Sequence, residues 1–110
     1  MLHKKYVKSR DVVRVTFDLP VDQLPRTLIV KSITLAGEFN DWDRDATPLT
    51  FSKKANAYRV RLDLAPEQTF QFRYLLNSKI WYNDWAADDY LPNWIDGDNC
   101  VVSTQGLRPV

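Results

Sequence analysis

The chain has 110 residues, among them one histidine, one cysteine and three glycines, and each scarcity removes a class of function. His3, alone and near the start, gives a histidine-based catalytic triad or metal cluster almost nothing to draw on. Cys100 cannot close an internal disulfide, and no Asn-x-Ser/Thr acceptor is present, in keeping with a reducing compartment. Gly37, Gly97 and Gly106 are too few and too scattered for a phosphate-cradling loop. No run approaches the roughly 18–20 apolar residues of a spanning helix, and the opening MLHKKYVKSR lacks the apolar stretch of a secretion signal. The expectation is a soluble, cytoplasmic protein with no membrane partner.

Charge of one sign is also missing. Fifteen Lys plus Arg against fourteen Asp plus Glu leave +1, without the basic excess that phosphate binding calls for, so nucleic acid is not an expected partner. The near balance is uneven along the chain: residues 81–110 carry five acidic groups and one basic, and hold three of the four tryptophans. Acidic side chains do not add up to a metal site either. Asp41-Trp42-Asp43-Arg44-Asp45 imitates the start of a calcium loop, but Ala46 stands where the turn glycine belongs and Ser52 where the bidentate Glu belongs. Asp96-Gly97-Asp98-Asn99 reads as an ordinary turn. No nucleophile–base pair or metal set can be assembled, so neither catalysis nor a cofactor is expected.

What the chain does have is a core. Hydrophobic residues make up 45%, with four Trp, five Tyr and five Phe, enough for one domain with a real interior. Apolar side chains recur at every second position, the signature of half-buried strands. Val13, Val15 and Phe17 alternate with Arg14 and Thr16; Tyr58, Val60, Leu62 and Leu64 alternate with Arg59, Arg61 and Asp63. Phe70, Phe72, Tyr74 and Leu76 repeat the pattern, with Leu75 as an apolar exception, and Ile33 and Leu35 continue a stretch begun at Ile29. Shorter candidates lie at Leu49–Phe51, Ile80–Tyr82 and Cys100–Ser103. No helical period is sustained. The pattern predicts an all-β, immunoglobulin-like sandwich of about seven to eight short antiparallel strands. Residues 12–104 would form it, with 1–11 as a frayed extension and 105–110 as a tail. Phe17, Tyr58, Phe70, Phe72 and Tyr74 fall on inward positions.

The surplus aromatics are then Trp42, Trp81, Trp85 and Trp94, on or beside polar segments. The apolar face of a glucose ring lies flat on an indole, while its hydroxyl rim needs polar partners, so exposed tryptophans flanked by Asn and Arg suit a sugar.

Gly37-Glu38-Phe39-Asn40-Asp41-Trp42, Tyr58 to Leu64, Phe70-Gln71-Phe72-Arg73-Tyr74, Trp81 and Asn99-Cys100-Val101-Val102 occur in the order seen in one family. Over about residues 12–104 the chain resembles carbohydrate-binding module family 48. That family includes the glycogen-binding domain of the AMP-activated protein kinase β subunit and the early-set domain that opens isoamylases and glycogen branching enzymes. The resemblance implies an early-set, immunoglobulin-like sandwich that binds α-1,4-glucans such as glycogen or starch without catalysing anything. It implies Trp42 and Trp81 as paired platforms, Arg73 where the family has a hydrogen-bonding Lys, Asn99 as a second polar contact, and Ile95 as an apolar loop contact. Trp85 stands where the family commonly has Pro. Trp85 and Trp94 have no family role and are expected to pack under the loop. The implied partner is an α-glucan or malto-oligosaccharide, together with a glycogen-metabolism enzyme or regulatory protein. The chain reads as a free-standing module, and the alternative is an adaptor domain of the same fold that has lost sugar binding.

Overall fold

In the computed structural model, which describes residues 1–109, nine strands form two antiparallel sheets. Val110, the last residue of the expected tail, lies outside the described residues. The first sheet has the order β1-β2-β5-β4, from Leu2–Val7, Val12–Pro20, Ala57–Leu64 and Thr50–Ser52. The second has the order β3-β6-β9-β8, from Ile33–Gly37, Thr69–Leu76, Asp98–Ser103 and Asp89–Pro92, and β7 (Ile80–Tyr82) also pairs with β6. The result is the immunoglobulin-like β-sandwich that the alternation predicted. Among the described residues no helix is long and apolar enough to cross a membrane.

The inward face of each strand supplies the core. Val13, Val15, Phe17 and Leu19 of β2 meet Phe72, Tyr74 and Leu76 of β6, all fully buried. Phe72 sits edge-on to both Phe17, at 5.1 Å, and Tyr74, at 5.8 Å, the geometry in which a ring edge meets a π face. Tyr58 and Phe70 reach the same cluster but stay partly exposed.

Two segments depart from expectation. Residues 1–11 are not a frayed extension: Leu2–Val7 form β1, in register with β2 from Leu2↔Phe17 to Val7↔Val12. Leu2 and Tyr6 pack on the core, while His3 and Lys5 face solvent, an alternation hidden by three basic residues in a six-residue strand. His3 therefore belongs to a sheet, where its Nε2 lies 3.1 Å from Asp18 Oδ2. Burial alone would push the Asp18 carboxyl up, but Arg59 at 3.0 Å and His3 outweigh it and hold the group below the usual range. Strand β8 was not foreseen either. All four of its residues are exposed, so no buried period marks it.

Candidate functional site

The loop after β3 is built by five residues, Gly37, Phe39, Asn40, Asp41 and Trp42. A Cβ on Gly37 would lie 2.6 Å from the Gln71 carbonyl oxygen and 2.9 Å from Phe72 Cβ, so only glycine lets β3 approach β6 this closely. Phe39 turns inward, its ring 5.6 Å from Phe17 and 6.1 Å from Phe70. Asn40 pins the turn: its Oδ1 accepts from the Gly37 N–H at 3.0 Å, and its Nδ2 donates to the Leu35 carbonyl at 2.8 Å and to Thr47 Oγ1 at 3.0 Å. Asp41 and Trp42 then both take left-handed φ values of 57°, and the Trp42 N–H donates back to the Gly37 carbonyl at 2.9 Å. This sharp reversal turns the half-exposed indole of Trp42 out of the sandwich.

The floor lies on the outer face of the second sheet. On its side away from β3, β6 pairs with β9 over residues 69–72 and with β7 over 74–76. Arg73 therefore points outward at the junction between two neighbours. Trp81 lies opposite Leu75 on this face, which explains the exception in the β6 alternation: Leu75 is buried on the outer face, paired with the indole-bearing residue. Asn99 of β9 shares the face on the other flank.

Trp42, Arg73, Trp81, Ile95 and Asn99 line one shallow cleft of about 210 Å³, so the five residues singled out from the sequence are brought together. Asn93 and Asp96 line it too and were missed. Asn93 locks the turn between β8 and β9: its Oδ1 accepts from the N–H groups of Ile95 and Asp96 at 2.9 and 3.0 Å, and its Nδ2 donates to Asp96 Oδ1 and Asn99 Oδ1 at 2.8 and 3.1 Å. Arg73 joins this network through Nη1, 2.9 Å from Asp96 Oδ1, while its Nε donates to Asn83 Oδ1 at 3.0 Å. Two of its five N–H groups are thus engaged within the protein. Its Cζ lies 5.7 Å from the Trp81 ring centre, and the Cζ of Arg44 lies 5.4 Å from the same centre, within cation–π range. Arg44 carried no sequence signal; the Asn-x-x-Asp-Gly turn at 93–97 did, as a site for side-chain-to-backbone bonding.

Trp85 and Trp94 do not pack under a loop; they are 69% and 89% exposed. Asp84 explains the first. It turns inward, fully buried, to accept from the Tyr74 hydroxyl at 2.9 Å and from the Met1 α-amino group, which leaves the next side chain facing out. Trp94 sits at φ 65° in the locked turn, with Ile95, 91% exposed, beside it.

A larger hollow of about 440 Å³ lies beside the Val21–Gln23 turn, lined mainly by aliphatic side chains such as Leu24, Pro25, Leu28 and Val30. It contains none of the cleft residues. Among the described residues no three His, Cys, Asp or Glu side chains are grouped to hold a metal ion.

No protein-family model matches the chain, and no curated protein sequence matches it. Among solved structures, ferric enterobactin esterase from Salmonella typhimurium is similar, with a TM-score of 0.67 at 8% identity over 99% of this chain and 35% of that one. The chain spans about a third of the length of that esterase, and a likeness at this identity speaks to the sandwich fold alone.

Proposed function

We propose that the protein is a non-catalytic α-glucan-binding module that stacks glucose rings on Trp42 and Trp81 and fixes their hydroxyl pattern with Arg73 and Asn99. The observation that carries this reading is the meeting of two half-exposed indoles and a largely buried guanidinium in one open cleft. An apolar ring face needs a flat apolar surface, and a hydroxyl rim needs donors held in place; the cleft offers both without a deep pocket. Few groups engage, so a short oligosaccharide should bind with a dissociation constant on the order of 10–1000 µM, about 4–7 kcal/mol.

Titrating maltoheptaose while following indole fluorescence tests this, with Trp42→Ala as the control. A saturable change in the wild type that is abolished in the variant supports the reading. No change at millimolar sugar rejects it.

A second reading, a protein-interaction adaptor, draws on Trp85, which is exposed and lies outside the cleft lining. A partner retained in the presence of saturating glucan and lost with Trp85→Ala would favour it.

A further inference from the structure

The turn between β8 and β9 presents two successive large apolar side chains to solvent, yet it is tied by a network of hydrogen bonds. Asn93 makes four side-chain hydrogen bonds within it and to Asn99, its N–H donates to the Gly97 carbonyl at 2.9 Å, and Asp96 is held by Arg73. Trp94 occupies a left-handed φ of 65°, a conformation that a bulky side chain adopts only when its surroundings impose it. Packing gives no return for that strain, because 89% of the residue is in water. The turn therefore fixes the backbone that carries an exposed indole, so a ligand meeting it need not order the loop.

The position of that indole sets what can reach it. Asn93, Ile95 and Asp96 line the cleft, while Trp94, in the same turn, does not. It is the exposed member of a turn whose neighbouring residues reach the cleft.

We infer that Trp94 is a third aromatic contact for the same ligand, reached only by longer glucans, so that the module discriminates by chain length. This rests on the glucan reading above. Covering one face of an indole with a sugar ring corresponds to a gain of about fivefold to tenfold in affinity.

The test compares maltotriose and maltoheptaose on the wild type, Trp94→Ala and Trp94→Asn by isothermal titration. Asn tolerates the left-handed conformation, so the second variant removes the indole while preserving the turn. The expected result is a fivefold to tenfold loss of maltoheptaose affinity in both variants, with maltotriose unchanged within about twofold. Maltoheptaose affinity unchanged in Trp94→Asn, or an equal loss for both sugars, overturns the inference and leaves the glucan reading standing. Failure of the wild type to bind either sugar overturns both.

Discussion

Arg73 Nη1 donates to Asp96 Oδ1 at 2.9 Å, and this bond ties the floor of the cleft to the turn that forms its rim. Arg73 is buried, whereas the Asp96 side chain is about half exposed, so the pair is screened and adds little to folding. Its role is to aim a guanidinium. Asp96→Ala should lower stability by less than about 1 kcal/mol while weakening maltoheptaose binding about threefold to tenfold, because Arg73 and the 93–97 turn lose their common anchor. Urea denaturation and isothermal titration on the same preparation separate the two effects.

Gly37→Ala should act on both at once. The added methyl would meet the Gln71 carbonyl at 2.6 Å, Phe39 Cζ at 2.8 Å and Phe72 Cβ at 2.9 Å, and two of these three lie on or next to the β6 backbone. Strands β3 and β6 must separate, at a cost of about 1–3 kcal/mol. The Gly37 carbonyl also accepts from the Trp42 N–H, so the displacement reaches the indole. A lower urea midpoint together with weaker glucan binding is expected; wild-type affinity in the folded variant would show that the loop tolerates the shift.

The contrast between these residues shows what a sequence carries. Strands β2, β5 and β6 were legible because one face of each is buried, which imposes a period of two on Val13 to Phe17, Tyr58 to Leu64 and Phe70 to Leu76. Strand β8 is exposed throughout, so pairing alone defines it and leaves no local mark, while in β1 three basic side chains mask the alternation of Leu2 and Tyr6. The five cleft residues were named from their resemblance to a motif; Asn93 and Asp96 are legible in the Asn-x-x-Asp-Gly spacing of their own turn, whereas Arg44 meets Trp81 across the chain, a contact that no spacing announces. Trp94 was misjudged because large aromatics usually pay for themselves by packing, and this one does not.

Alkaline pH offers a third test. Burial in the sandwich pushes the Cys100 thiol up from an ordinary 9.0 to about 11, and burial likewise pushes the Tyr74 hydroxyl well above 10. Both groups are held neutral in the fold, so the stability they contribute is complete below about pH 9. It is lost as pH rises, because the unfolded chain ionises first and is stabilised by doing so. For Cys100 the loss between pH 9 and 11 should be on the order of 2 kcal/mol. Urea midpoints at pH 8, 9.5 and 10.5 should fall steadily, and Cys100→Ala should flatten the first part of the decline. The buried, protonated thiol should also resist aromatic disulfide reagents at pH 8 until the protein unfolds.

Tyr74 and Asp84 separate folding from binding most cleanly. The Tyr74 hydroxyl donates to Asp84 Oδ2 at 2.9 Å, and both side chains are fully buried on the inner side of the sheet, while Arg73 beside Tyr74 in sequence faces the cleft. Tyr74→Phe removes one hydrogen bond to a buried carboxylate that also accepts from the Met1 α-amino group and from the Ala86 N–H. The loss should be about 1.5–3 kcal/mol, the range for a bond to a charged partner. Affinity for maltoheptaose should stay within about twofold of wild type, because the remaining bonds of Asp84 hold the segment after β7 in place and the outer face of β6 is untouched. A matching fall in affinity would mean that the cleft depends on the core beneath it, and that Arg73 is positioned from below as well as by Asp96 and Asn83.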